Sequence, residues 1–189
     1  VAFIEFAVAL PLLILMFFGG IEITRYILIA QKMDRSTDIV AEAITANHLT
    51  GALSGQYIPH MLNAMPIVMY PYTTGTNYVE YINDISYPVN SSNPIVNWQC
   101  RGGGLAQPSQ IGTTGGVPNL SGIPGSFSIR PGEEFVITET YYQYTPVTNM
   151  ISFLIGLPPL YRVSVFAPRG ESFAGASLPS PPCTEVPPS

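Results

Sequence analysis

Few residues in this chain of 189 are of types that do chemistry, and their spacing argues against most of it. Glu133, Glu134 and Glu139 come nearest to the paired carboxylates of glycoside hydrolysis. Adjacent residues on a strand point to opposite faces, so Glu133 and Glu134 make no cleft pair, and all three are expected to be solvated strand charges. His48 and His60 are the only histidines, and neither has a cysteine or a second histidine at ligand spacing, so no metal is expected. Gly102-Gly103-Gly104 and Gly115-Gly116 are not followed by Lys-Ser/Thr and read as turns, not as phosphate loops. No lysine follows Lys32, which removes Schiff-base chemistry from everything downstream. With no nucleophile–base set and no cofactor motif, an enzyme is not expected.

Two features survive this sorting. Cys100 and Cys183 are the only cysteines, and an even count in a domain placed outside the cytoplasm favours a disulfide over two unrelated buried thiols. Closing a loop of about eighty residues would constrain the unfolded chain by about 4–5 kcal/mol on the entropy model. The other feature is Glu5, the one ionisable side chain in residues 3–21. An acid in such surroundings is expensive unless it finds a cation. The chain opens on Val1 rather than Met, which leads to the expectation of an N-terminus made by proteolysis, its α-amino group mostly protonated near neutral pH. The Val1 amine, from the same chain or from a neighbour, is the candidate partner of Glu5. From a neighbour, it makes Glu5 a register mark for stacked apolar helices.

The element that must position Glu5 is VAFIEFAVALPLLILMFFGGIEITRYILIA. As a helix, residues 3–21 rise roughly 28 Å at ~1.5 Å per residue, close to a hydrocarbon core of about 30 Å, so a membrane span is expected there. A signal peptide fits poorly, because no basic region leads the stretch. Pro11 has no N–H for the Ala7 carbonyl, and Gly19-Gly20 is a second soft point, so kinks are expected at both. Glu22 and Arg25 stand at i,i+3 and are expected to pair at the membrane boundary, as local support or as a contact to the next subunit. Beyond them Tyr26, Ile27, Ala30, Met33, Thr37, Val40, Ala41 and Ile44 recur at helical steps and form a face for a small sheet, with Lys32, Asp34, Arg35, Asp38 and Glu42 on the remainder. A helix over residues 2–49, stopping at Gly51, would be roughly 70 Å long.

The remainder reads as β. Residues 52–76 are ambiguous, broken by Pro59, Pro66 and Pro71. Strands are expected at residues 77–87, 93–100, 133–145 and 161–167, the third being clearest in its alternation of Phe135, Ile137 and Tyr141 with Thr138, Thr140, Tyr142 and Tyr144. Residues 101–132 read as loop and 179–189 as a Pro-rich tail. Trp98, Tyr141, Tyr142 and Tyr144 serve core packing or, alternatively, sugar stacking or a subunit contact. Asn90-Ser91-Ser92 and Asn119-Leu120-Ser121 fit the short, frequent N-glycosylation pattern. Residues 150–160, MISFLIGLPPL, are apolar enough that Phe153, Leu154, Ile155 and Leu157 are expected to meet another subunit or the membrane-proximal helix. Charged residues are 10% of the chain against roughly 25% in ordinary soluble domains. The net charge of −5 argues against nucleic acid as a partner.

An apolar start with Glu at the fifth position and Phe at the sixth resembles the mature start of type IV pilins. The run Ile4-Glu5-Phe6-Ala7-Val8-Ala9-Leu10-Pro11-Leu12-Leu13, then Gly20-Ile21-Glu22 and Arg25, resembles the TadE-like branch of the tight-adherence pili. A further likeness lies in Tyr142-Gln143-Tyr144-Thr145-Pro146, the apolar connection and the strand closing in Pro168-Arg169. The resemblance implies removal of a leader by prepilin peptidase, often with methylation of the new amine, and polymerisation through the N-terminal helices.

The expected architecture is therefore α+β, with residues 1–50 as a long helix packed on a small antiparallel sheet and residues 51–189 as an extracytoplasmic domain with long loops. By resemblance, the expected role is a structural pilus subunit, held in the inner membrane with its N-terminus cytoplasmic and then extruded by separate assembly machinery. The expected partners are copies of itself, other pilins and that machinery. Two alternatives stand beside it: a minor pilin that primes or tips another filament, and a membrane-tethered binding domain that never polymerises.

Overall fold

The computed structural model describes residues 2–46, 57–146 and 158–169. Helix α1 (Ala2–Ala46) leads, followed by two short helices, α2 (Tyr57–Leu62) and α3 (Ala64–Met69). Four strands follow: β1 (Tyr78–Ser86), β2 (Ile95–Gly102), β3 (Glu134–Tyr142) and β4 (Leu160–Phe166). The sheet order is β2-β1-β3-β4, with every neighbouring pair antiparallel.

The first twenty positions of α1 are dominated by Ala, Leu, Ile, Met and Phe, and the helix runs unbroken through Pro11, Gly19 and Gly20. Threonines further along turn their hydroxyls back on the helix: Thr24 donates to the Gly20 carbonyl (2.8 Å), Thr37 to Met33 (2.8 Å) and Thr45 to Ala41 (2.9 Å). That habit satisfies a hydroxyl without water and suits a helix passing through apolar surroundings. The ambiguous prolines resolve simply. Pro59 and Pro66 each take the third position of a short helix, within the first turn, where a missing N–H costs nothing.

The sheet is covered on both faces, and its two faces have different lids. On one side lie α1, α2 and α3. Val40 and Ile44 of α1 meet Ile58, Leu62, Ile82, Trp98, Cys100 and Val136, while Ile29 and Met33 meet Met65, Met69, Tyr78, Tyr142, Tyr144 and Leu160. On the other side the Gly- and Pro-rich residues 103–132 fold back over the strands, burying Ile111, Ile123 and Ile129 against Ile85, Val96 and Ile137. Sequence alone assigned that stretch to loop, which it is, but it carries half of the sheet's cover. Every residue of β1 is consequently buried. The outer edge of β2 is occupied too, since Val96 and the Gly115-Gly116 turn exchange two backbone hydrogen bonds (2.8 and 3.0 Å). Gly103, with φ of 93°, is required where the loop leaves β2, because a Cβ there would stand 2.5 Å from the Tyr78 carbonyl oxygen.

Candidate assembly site

Helix α1 divides into a docked half and an uncovered one. In the docked half the buried positions are Glu22, Ile29, Met33, Ser36, Thr37, Val40, Ala41, Ile44 and Thr45. Five of these were expected on the packing face; Ile27, also expected there, is exposed, and Ile29 takes its place. The charges on the helix flanks reach β4 rather than water alone. Asp34 pairs with Arg162, Asp38 accepts from the Ser164 hydroxyl (2.6 Å), and Glu42 lies 3.5 Å from Arg169. These pairs are largely exposed and add register more than stability. Deeper in, the Thr37 hydroxyl donates to that of Thr140 (2.9 Å).

At the lower end of the docked half, Glu22 is buried and accepts a hydrogen bond from the Tyr144 hydroxyl. Burial, reinforced by the hydrogen bond to Glu22 and its charge, pushes the Tyr144 phenol above its ordinary range, so it remains a donor at physiological pH. The Arg25 guanidinium lies over the Tyr72 ring, 5.9 Å from its centroid. Each residue of the expected membrane-boundary pair thus has its own aromatic partner in the sheet domain, a contact that helix spacing could not announce.

Residues 2–21 are the opposite case. None of the helix's most apolar window is buried inside the chain, and the helix is long and apolar enough to cross a membrane. Phe3 is 82% exposed and Phe17 65%. A Cβ placed on Gly19 or Gly20 would meet nothing within 4 Å, so packing within the chain does not demand either glycine. Glu5 sits in this uncovered stretch with no partner among the described residues. A bare apolar surface of this length cannot remain in water.

Residues 1–41 match the family described as TadE-like protein. The N-terminal segment is TadE-like. The match spans the whole uncovered half and runs into the docked half; the sheet domain, including the likeness expected over residues 142–169, lies beyond it. No curated protein and no solved structure gives a significant match to the chain.

The acids outside the TadE-like segment correct the sequence reading. Glu139 is not a solvated strand charge: it is fully buried on the loop-covered face. Its carboxylate accepts from the Ser109 hydroxyl, the Gln110 N–H (3.0 Å), the Tyr141 and Tyr161 hydroxyls (3.2 and 3.1 Å) and the Asn83 amide (3.3 Å). That arrangement pins residues 109–110 to the sheet and is structural, since every donor comes from this chain. Tyr161 and Tyr141 are pushed above the ordinary phenol range by burial first and the Glu139 charge second, so both stay donors. Glu133 accepts from the Arg130 N–H near the surface, as expected of an exposed charge.

Glu80 and Asp84, which sequence reasoning passed over, are also fully buried, but on the helix face. Neither Glu80 oxygen has a well-formed hydrogen bond among the described residues. Burial pushes its carboxyl from 4.5 up to about 8, and the Thr140 hydroxyl across the strand offsets this only in part. Asp84 is pushed from 3.8 up to about 8 by burial first and by the Glu134 charge second, although Asn97 donates to it (2.8 Å). Both alternate with Val79, Tyr81 and Ile85 of the other face within β1, and nothing in an acidic residue type signals burial. The aromatic cluster proves to be two groups: Trp98, Tyr142 and Tyr144 belong to the helix side and Tyr141 to the other.

Among the described residues, no group of three metal-ligating side chains occurs. Cys100 is buried and disulfide-bonded. Its expected partner Cys183, the expected register residue Val1, His48, Gly51, and the expected interface residues Phe153, Leu154, Ile155 and Leu157 lie outside the described residues.

Proposed function

We propose that this chain is a structural subunit of a Tad-type pilus, anchored in the inner membrane by residues 3–21 and polymerised through the same surface once extracted. The observation that carries the reading is the uncovered half of α1 in a TadE-like segment, continuous with a half that is buried against the sheet domain. A lone membrane anchor needs apolar length and nothing more. Here a single acid at Glu5 interrupts that length, and such an acid favours helices packed side by side at one offset. In this reading Glu5 takes its cation from a neighbouring subunit, with the Val1 amine as the candidate, after prepilin peptidase processing. The glycines at 19 and 20, together with Pro11, let neighbouring helices adjust and approach. Residues 153–157 contribute a second contact between subunits, and Cys100 pairs with Cys183, the chain's other cysteine, to secure the C-terminal tail. The partners are copies of this chain, other pilins and the inner-membrane assembly machinery; no step of catalysis is assigned.

The test is immunogold labelling of filaments sheared from cells, using antibody to the sheet domain. Label along the whole filament is expected. Label at tips alone would replace this reading with the minor-pilin one, and label confined to membranes would leave a tethered domain.

A further inference from the structure

Helix α3 and the turn after it occupy a particular level of the molecule. Met65 and Met69 pack on Ile29 and Met33 of α1, while Lys32 donates to the Val68 and Tyr70 carbonyls and so caps the end of α3. The Tyr72 ring lies beneath both Arg25 and Lys32, 5.9 and 5.6 Å from the cationic atoms. This clamps residues 64–72 beside residues 25–33 of α1, the first turns beyond the expected span. The outward side of the same segment is apolar: Ile67 is 78% exposed and Tyr70 77%. On α1 exposed apolar residues continue beyond the expected span at Ile23, Ile27 and Leu28, the level at which α3 packs on Ile29.

We propose that the α3–Tyr72 segment is an interfacial foot that rests in the phospholipid headgroup layer while the subunit waits in the membrane. The inference builds on the membrane-span reading. From residue 21 to residue 28 the helix rises about 10 Å, and interfacial elements settle about 5–10 Å into the headgroup boundary. Tyrosines with one apolar and one wet end favour that layer, and here Tyr26, Tyr70 and Tyr72 converge on it. Of the seven Lys and Arg in the chain, Arg25, Lys32 and Arg35 fall in this stretch, where phosphate groups would meet them. The acids at the same level are engaged toward the protein: Glu22 is buried and accepts from Tyr144, and Asp34 pairs with Arg162. With its foot in the headgroups, the sheet domain has a fixed height and tilt above the bilayer before extraction.

The test reconstitutes the full chain in vesicles of mixed phosphatidylcholine and phosphatidylglycerol carrying bromines at defined depths. Ile67→Trp, Tyr70→Trp, Phe17→Trp and Val117→Trp are compared, with the buried Trp98 giving a constant background. Fluorescence from the tryptophan in Ile67→Trp and Tyr70→Trp is expected to be lost to shallow bromines and spared by central ones. The Phe17→Trp signal is lost to deeper bromines, and the Val117→Trp signal is retained. If Phe17→Trp is quenched while Ile67→Trp and Tyr70→Trp behave like Val117→Trp, the foot is overturned and the span stands. If Phe17→Trp escapes quenching at every depth, the span itself fails. Shielding of positions 67 and 70 from aqueous quenchers in filaments but not in vesicles assigns the surface to a neighbouring subunit and overturns the proposal.

Discussion

Residues 2–21 and residues 22–46 belong to one unbroken helix, yet each contains an acid under opposite conditions. Glu22 is buried by its own chain and receives a donor from Tyr144. Glu5 lies on an uncovered apolar surface and has no partner among the described residues. The docked half therefore finds its partners among the described residues, whereas the other half finds none there. Apolar side chains alone do not separate the two cases, since both halves are rich in them. What separates them is whether the polar residues interspersed among them have been given partners.

Substitutions should divide along the same line. The largest effect on the isolated subunit is expected from Met33→Ala, which empties space between α1 and α3. A loss of about 2–5 kcal/mol follows for a buried side chain of this size, read as a thermal midpoint lower by several degrees in detergent-solubilised full chain. Phe6→Ala or Leu13→Ala, removing as much apolar surface, should leave that midpoint within the roughly 0.5 kcal/mol typical of surface changes, while filament yield collapses. Equal destabilisation by Met33→Ala and Leu13→Ala would erase the distinction between the halves.

Tyr144→Phe ranks next. It withdraws a donor from buried Glu22 and should cost about 1–3 kcal/mol, with filament yield falling only as far as the loss of folded subunit explains. A midpoint unchanged in Tyr144→Phe would show that Glu22 is held by other means.

A smaller effect depends on pH and comes from the buried acids of β1. Folded Glu80 keeps its proton up to about pH 8, against 4.5 for the ordinary group. Folding therefore takes up a proton between those values, so stability should fall as pH rises from about 4.5 to about 8 and level off above. Asp84, raised from 3.8 to about 8, acts in the same direction. Glu80→Gln should flatten that decline without abolishing it, and denaturant midpoints measured across the range decide the point. A slope unaltered by Glu80→Gln would mean the carboxyl is not held neutral.

The smallest expected change in the free subunit is that of Gly19→Ala. Alanine is a better helix former by about 1 kcal/mol and meets nothing here, so stability should hold or rise slightly. Reduced filament yield from the same variant would indicate that a neighbour approaches this point closely, and normal yield would free the glycine from that role.

Much of this architecture was legible because its signals are local. The four strands fall within three residues of the windows set by alternation and bounding prolines, and the helix follows from apolar length. What stayed hidden is what depends on partners remote in sequence. Glu139 reads as a surface charge until residues 109–110, from a stretch with no secondary structure, fold over it. Glu80 and Asp84 look like solvent positions in a half-exposed strand, and they are buried because both faces of the sheet are covered. The placement of Ile29 in the core, with Ile27 left outside, depends on where α3 docks, and α3 itself was obscured by its proline. Glu5 is the reverse case: the sequence marks its need for a partner clearly, and no described residue of the subunit meets that need.

That need is the central claim, and Glu5 tests it most directly. Glu5→Ala and Glu5→Gln should be made in cells, with sheared-filament yield measured against membrane-fraction protein and the mature N-terminus sequenced. The account predicts normal processing, normal membrane protein and an intact sheet domain in both variants, with filament yield severely reduced. Normal filament yield from Glu5→Ala would contradict it, because an apolar surface that assembles equally well without its one acid does not use that acid to set register.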